Sequence, residues 1–391
     1  MSDSAGEKPS TLASESYETF VDIIRQESRD LIALCTYFVA NVKEGSVAPR
    51  PLLGRFSRET TKLEEILDAC GAQKNSRWFS YRRLIAAGKL FSRVTYNLLH
   101  IKYFLPTYRL LSVDEDFLTA TDEALQSLTT VLSRIVQCLL DICDQNGILD
   151  AGKIEKLPRF SEIEWKGKLP ADRTFRHVEA PGKVVVQLAT AFLNLSAESQ
   201  ILGVYQKLAD GNFASCIPDM VNEDVLRGLE AKFHGLQSQY DTYISDSDIE
   251  IADTNLPVMR GHISIIYHLL EIATDFCHYY ERHVAFFTSK SQESQESLIS
   301  CEELLKLLFP FCIAFANRFL KSARALCQNM IKQYAEEGRI EVPIPIYRGF
   351  HVRPSTLIAR IIHHYGSEVR MILNGKEYDA SKPLELFRAN E

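Results

Sequence analysis

At 391 residues, 46% hydrophobic and 24% charged, the chain has the composition of a folded globular protein of two or three domains with sizeable cores. Its net charge of −7 argues against a protein that holds nucleic acid by overall electrostatic attraction, so no nucleic-acid partner is expected. Nine cysteines, odd in number and without a Cys-x-x-Cys pair, argue against a disulfide framework and fit a reducing cytoplasm.

In chain order, residues 1–15 are polar, lack the basic start and apolar core of a signal peptide, and are expected to form a disordered tail. Apolar residues three and four apart predict helices near 16–43, 57–71, 77–105 and 113–146, a first helical region over 16–147. Ser112 and Glu115 have the spacing of a capping box, and Asp144-Gln145-Asn146-Gly147 is a matching stop. Residues 148–182 lose the helical period and read as an irregular linker. A second helical region, 183–336, carries the pattern near 184–209, 221–242, 256–287 and 298–336, broken by the polar loop 289–297. The two regions suit one large antiparallel bundle of mainly α class. Lys306, Pro310, Asn317 and Arg318 interrupt the apolar run 304–320, so no transmembrane segment is expected.

Two features of this helical body bear on chemistry. Residues 75–113 contain seven Lys and Arg, no Asp or Glu, and many aromatic residues. Arg82, Lys89, Arg93, Tyr96 and His100 recur at helical spacing and form a candidate anion-binding strip; the alternative is that the cations meet acidic neighbours such as those in 114–123. His268, Glu271, Asp275, His278 and Arg282 line one face of a second helix. That face suits a polar seam inside the bundle, a ligand site, or one half of a metal site, whose second carboxylate–histidine pair the sequence does not supply. Walker, Rossmann, GxSxG and HExxH signatures are absent, and no cofactor is implied.

The tail is the most specific stretch. Ile340 to Tyr347 alternates apolar residues with prolines and reads as an edge strand. Gly349-Phe350-His351-Val352-Arg353-Pro354-Ser355 then places a histidine and an arginine at the mouth of a helix, with Pro354 at its first position. Leu357, Ile358, Ile361, Ile362 and Tyr365 mark one buried face, and Gly366 is a C-cap. A strand around Val369–Leu373, the hairpin signal Asn374-Gly375 and a return strand from Lys376 to Asp379 follow.

The run GFHVRPSTLIARIIHHYGSEVRMILNGKEYDA resembles the histidine-containing phosphocarrier (HPr) family of the sugar phosphotransferase system, over about residues 339–391. The resemblance implies a small α+β module in which His351 accepts a phosphoryl group from a phosphoenolpyruvate-dependent kinase and passes it onward. It also implies that Arg353 contacts the phosphate, with the amides of Ser355 and Thr356 as further donors. Where some members carry a regulatory serine after the third strand, this chain reads Ala380-Ser381-Lys382-Pro383, with lysine at that place. The family's domain continues through a further strand and helix, so the module is expected to be incomplete, by truncation at Glu391.

The expectation is therefore a cytoplasmic phosphocarrier or phosphorelay regulator carrying phosphohistidine at residue 351. Its donor would be a kinase of the phosphotransferase type; the sequence names no acceptor. Two alternatives stand beside it. One is an interaction or scaffold protein with a degenerate HPr-like docking module. The other is a helical protein that binds a metal ion or ligand on the His268–Arg282 face.

Overall fold

The computed structural model describes residues 17–43, 45–149, 157–162, 169–170, 174–199, 202–203, 213–217, 219–284, 298–343, 348–365 and 367–389. The expected tail 1–15, the polar loop 289–297 and the Gly366 cap lie outside these residues. The described chain is mainly helical, with one small antiparallel sheet near its C-terminal end. Its helices are α1 (Tyr17–Glu27), α2 (Arg29–Asn41), α3 (Arg50–Ala69), α4 (Phe79–Phe104), α5 (Phe117–Gln145), α6 (Pro181–Glu198), α7 (Glu223–Tyr243), α8 (Asp248–Ala252) and α9 (Asn255–Tyr279). They continue with α10 (Cys301–Lys306), α11 (Ala314–Tyr334), α12 (Val352–Tyr365) and α13 (Pro383–Arg388). Strands β1 (Arg370–Leu373) and β2 (Lys376–Asp379) lie between α12 and α13. Between 148 and 180 the described residues hold no helix. None of the described helices is long and apolar enough to cross a membrane.

The chain divides into two compact units, Met1–Tyr96 with Leu125–Trp165, and Asn97–Ala124 with Lys166–Glu391; α4 and α5 contribute to both. In the first, Trp78, Tyr81, Phe56 and Phe91 are wholly buried, and the Tyr81 hydroxyl shares a 2.9 Å hydrogen bond with Ser28. Gly88 of α4 allows α3 and α5 to close in, since a Cβ there would lie 3.1 Å from the Phe56 ring and 3.6 Å from Ile135.

In the second unit α6, α7, α9 and α11 pack as a bundle, with α9 touching both α7 and α11 and α6 lying on α11. Residues 307–313 join α10 to α11 as a π-helical stretch containing Pro310, which has no N–H for the ordinary helical bond. Phe117 packs against Phe315 and Phe319 at ring distances of 4.9 and 5.2 Å. Helix α5 starts later than the Ser112 cap expected from sequence. Asp116 is the residue that caps it, accepting from the Leu118 and Thr119 amides at 3.0 and 3.2 Å and from the Thr119 hydroxyl at 2.7 Å. A carboxylate serves that position well, and these bonds hold Asp116 below the usual carboxylate range.

Residues 108–111 cross α9 where Gly261 makes room; a Cβ there would stand 3.2 Å from the Arg109 amide nitrogen. The next residue, His262, is completely buried. Its Nδ1 lies 2.9 Å from the Val258 carbonyl, and its Nε2 accepts from the Leu111 amide at 3.3 Å and lies 3.1 Å from the Ser322 hydroxyl of α11. A neutral ring with its proton on Nδ1 satisfies this pattern, and burial pushes its pKa down.

The tail forms a small module with a core of Phe350, Ile362, Ala380 and Leu386, joined by Ile358 and Met371. β1 and β2 pair antiparallel with Arg370 opposite Asp379 and Leu373 opposite Lys376. Asn374 and Gly375 both have positive φ, the backbone that the expected Asn-Gly hairpin requires. Two sequence expectations need correction. Residues 340–343 form no strand and are exposed, because prolines in this stretch remove donors that pairing needs; 344–347 lie outside the described residues. The apolar face of α12 is only half covered: Ile358 and Ile362 turn inward, while Leu357, Ile361 and Tyr365 are exposed, since two short strands cover only part of a helix. The module touches the bundle through the C-terminal end of α12, where the Thr190 hydroxyl of α6 donates to the Tyr365 carbonyl at 3.1 Å.

His262 generates a pH test. The unfolded histidine titrates near 6.5 while the folded one resists protonation. The stability of the neutral ring is therefore complete above about pH 6.5 and declines below it, by at most about 1.4 kcal/mol per pH unit. Urea midpoints measured from pH 7.5 to 5.5 are expected to fall, and His262→Gln to flatten part of that slope.

Candidate functional site

The backbone before His351 turns sharply. Arg348 and Gly349 both have positive φ (58° and 54°), a conformation that costs little at glycine and more at arginine. The turn drives Phe350 into the module core and leaves His351 half-exposed at the helix mouth. The His351 amide donates to the Gly349 carbonyl at 3.0 Å, and its ring Nδ1 lies 3.4 Å from the same oxygen.

Ser355 locks the turn from inside. It is completely buried; its hydroxyl donates to the Phe350 carbonyl at 2.9 Å and its amide to the His351 carbonyl at 3.2 Å. The carbonyls on both sides of the histidine are thereby held. This differs from the role expected of Ser355, because its N–H already has an acceptor within the turn. Thr356 sits a residue further into the helix, its hydroxyl donating to the Val352 carbonyl at 2.8 Å. Pro354 is the third helical residue rather than the first, still within the turn where a missing N–H is harmless. The amides of Val352 and Arg353 are thus the first-turn donors that lack helical acceptors by construction.

Arg353 is exposed and, among the described residues, makes no ion pair. From Val342 to Ser367 the chain contains no Asp or Glu but carries Arg348, Arg353 and Arg360, so local charge favours an anion. His363 and His364 are exposed at the opposite end of α12.

The cationic strip on α4 meets carboxylates. Arg82 binds Asp68 of α3 through two 2.8 Å hydrogen bonds and lies 3.2 Å from Glu64, which also pairs with Lys89. The Arg82 guanidinium holds the Asp68 carboxyl below its ordinary pKa. Arg93 is exposed farther along the helix. The acidic partners come from α3 rather than from 114–123, although Lys102 does pair with Asp122.

The polar face of α9 separates into two groups. His268 lies 3.5 Å from Glu271, with its ring 5.2 Å from that of His100. His278 binds Glu223 of α7 at 2.8 Å; Glu223 also accepts from Arg227 at 2.6 Å, and its amide donates to Glu281 at 3.0 Å. His268 and His278 are ten residues apart, roughly 15 Å along a helix, so they do not converge on one ion. Asp275 is buried on the same helix. Burial raises the pKa of Glu230 on α7, with nearby Glu271 and Asp275 adding to the effect. Among the described residues no three His, Cys, Asp or Glu side chains gather in a manner that would hold a metal. Glu223, Arg227 and Glu230 were not singled out from sequence. Glu223 and Arg227 have the i, i+4 spacing of a helical ion pair, but nothing local shows that they face α9.

Arg82→Ala is expected to cost about 1–2 kcal/mol at neutral pH, allowing for the partial exposure of Asp68. Because the Asp68 pKa is lowered in the folded state, the wild-type advantage is complete above about pH 4 and shrinks as pH falls further. Paired urea titrations at pH 7 and pH 3 measure both. No family model, curated protein or solved structure matches this chain.

Proposed function

We propose that the C-terminal module is a phosphocarrier of the HPr type and that His351 is its phosphoryl acceptor. The observation that carries this reading is the placement of a half-exposed imidazole one residue before α12, beside an exposed arginine without an ion-pair partner among the described residues. Buried Ser355 holds that placement. The resemblance of residues 339–391 to the family is the second support.

In the transfer, the lone pair of a neutral ring nitrogen attacks the donor's phosphorus. A P–N bond forms as the bond to the donor's leaving group breaks, and the leaving group keeps that electron pair. The guanidinium of Arg353 and the first-turn amides stabilise the negative charge on the equatorial oxygens. The donor is a phosphoenolpyruvate-dependent kinase, and the helical body serves regulation or partner selection. The reaction occurs in the cytoplasm and requires no cofactor on this chain.

A second reading rests on the exposed Leu357 and Ile361 of α12, which suit a docking module that works without phosphorylation.

Incubating the full chain with a phosphoenolpyruvate-dependent phosphotransferase kinase and labelled phosphoenolpyruvate separates the two. The expected product carries acid-labile, base-stable phosphate that His351→Ala abolishes. Arg353→Ala should slow labelling by roughly 10²–10³-fold, the loss typical of one charge-stabilising donor. Label that survives His351→Ala, or no label at all, leaves the docking reading.

A further inference from the structure

Arg82 and Lys89 of the α4 strip are neutralised by α3, but another group of arginines, at the opposite end of α3, is not fully satisfied. Arg50, Arg55, Arg58, Tyr96, Phe160 and Glu162 line an open pocket of roughly 460 Å³ within the first compact unit. Glu162 illustrates what the pocket's edge recognises. One of its oxygens accepts from the Arg50 amide at 2.6 Å and the other from the Arg50 Nε at 3.0 Å. Phe160 fastens the same segment, its ring 5.0 Å from that of Tyr37 and its amide donating to the Tyr37 hydroxyl at 3.0 Å.

Arg55 and Arg58 have capacity left. Among the described residues the buried Arg55 Nε has no hydrogen-bond partner, and Asp30 stands 3.6 Å from Nη2, beyond a good hydrogen bond. Arg58 uses Nε and Nη2 on the neighbouring Glu59, while 70% of its side chain remains exposed. A buried guanidinium N–H without an acceptor is uncommon, and a guanidinium with donors to spare favours an anion nearby. The wall between these arginines is aromatic. Tyr96 is exposed, and Gly54 leaves its ring uncovered, since a Cβ there would lie 3.7 Å from Tyr96 Cε2.

We propose that this pocket binds a phosphate monoester carried on an aromatic ring. The phosphate takes the free N–H groups of Arg55 and Arg58, and the ring lies against Tyr96. A phosphate suits the two guanidinium groups better than a carboxylate because it offers three acceptor oxygens and up to two negative charges. The site is remote in sequence from His351 and does not depend on the phosphocarrier reading.

The test is isothermal titration of the full chain with phenyl phosphate and, separately, inorganic phosphate. Saturable binding of one phenyl phosphate per chain is expected, tighter than inorganic phosphate. Arg55→Gln and Arg58→Gln should each weaken it by about tenfold or more, the loss of a charge-assisted hydrogen bond. Tyr96→Ala should weaken phenyl phosphate but not inorganic phosphate. Thermal melts establish that each variant is folded, and any one folded pocket variant suffices. Absent binding, equal affinity for the two probes, or binding unaltered in the folded pocket variants overturns the proposal.

Discussion

The burial of Phe350 is the constraint on which the C-terminal module depends. Its side chain meets Ile362 and Leu386 in a core of few residues, so its loss would leave α12 and α13 with little to share. Once Phe350 points inward, the following residue must emerge on the other side of a tight turn. Positive φ at Arg348 and Gly349 makes that turn, and the Ser355 hydroxyl on the Phe350 carbonyl closes it from beneath. The position of His351 is thus a by-product of core packing. Its place is set chiefly by its neighbours' burial, with Nδ1 lying 3.4 Å from the Gly349 carbonyl.

The helical body obeys the complementary rule that a partly desolvated charge finds a counter-charge. Arg82 and Lys89 face Glu64 and Asp68, and His278 faces Glu223, whose second role is to hold Arg227. Such pairs contribute modestly to stability, but each separation would leave a charge inside a half-buried groove. They set the register of α3 against α4 and of α7 against α9. By contrast, Arg353 stands outside any such pairing among the described residues, and Arg55 is only loosely paired. Charge left unmatched in this way, in a protein that matches it elsewhere, is a better pointer to anion binding than a basic run in the sequence.

That distinction explains which parts were legible beforehand. The helical periods located α4, α5 and α7 closely because one-sided apolar spacing is a local property, whereas α3 begins seven residues before its expected start and α6 ends at Glu198, short of 209. Asn374-Gly375 identified its hairpin for the same local reason. The α5 cap was misplaced because Ser112 and Asp116 both fit cap chemistry, and tertiary packing of Phe117 chose between them. The cationic strip on α4 was visible, but its neutralisation depends on residues 14 and 25 positions away. The Arg50–Glu162 clamp spans 112 positions and has no local signature at all. Histidine and arginine at the mouth of α12 were evident as a pattern. The buried hydroxyl that holds them was not, because a serine in a helical first turn more often caps than braces.

The way the module meets the bundle bears on how His351 would be used. The contact from Thr190 and the ion pair from Lys332 to Glu368 at 2.9 Å both fall at the C-terminal end of α12. A helix of fourteen residues is about 20 Å long, so His351 lies that far from the attachment. One end of α12 is therefore occupied by the body of the protein while the other presents the imidazole. On the proposed reading a donor approaching His351 need not displace the bundle, and the exposed ion pair within the attachment contributes little by itself. The exposed Leu357 and Ile361 lie between these two ends, within reach of either kind of partner.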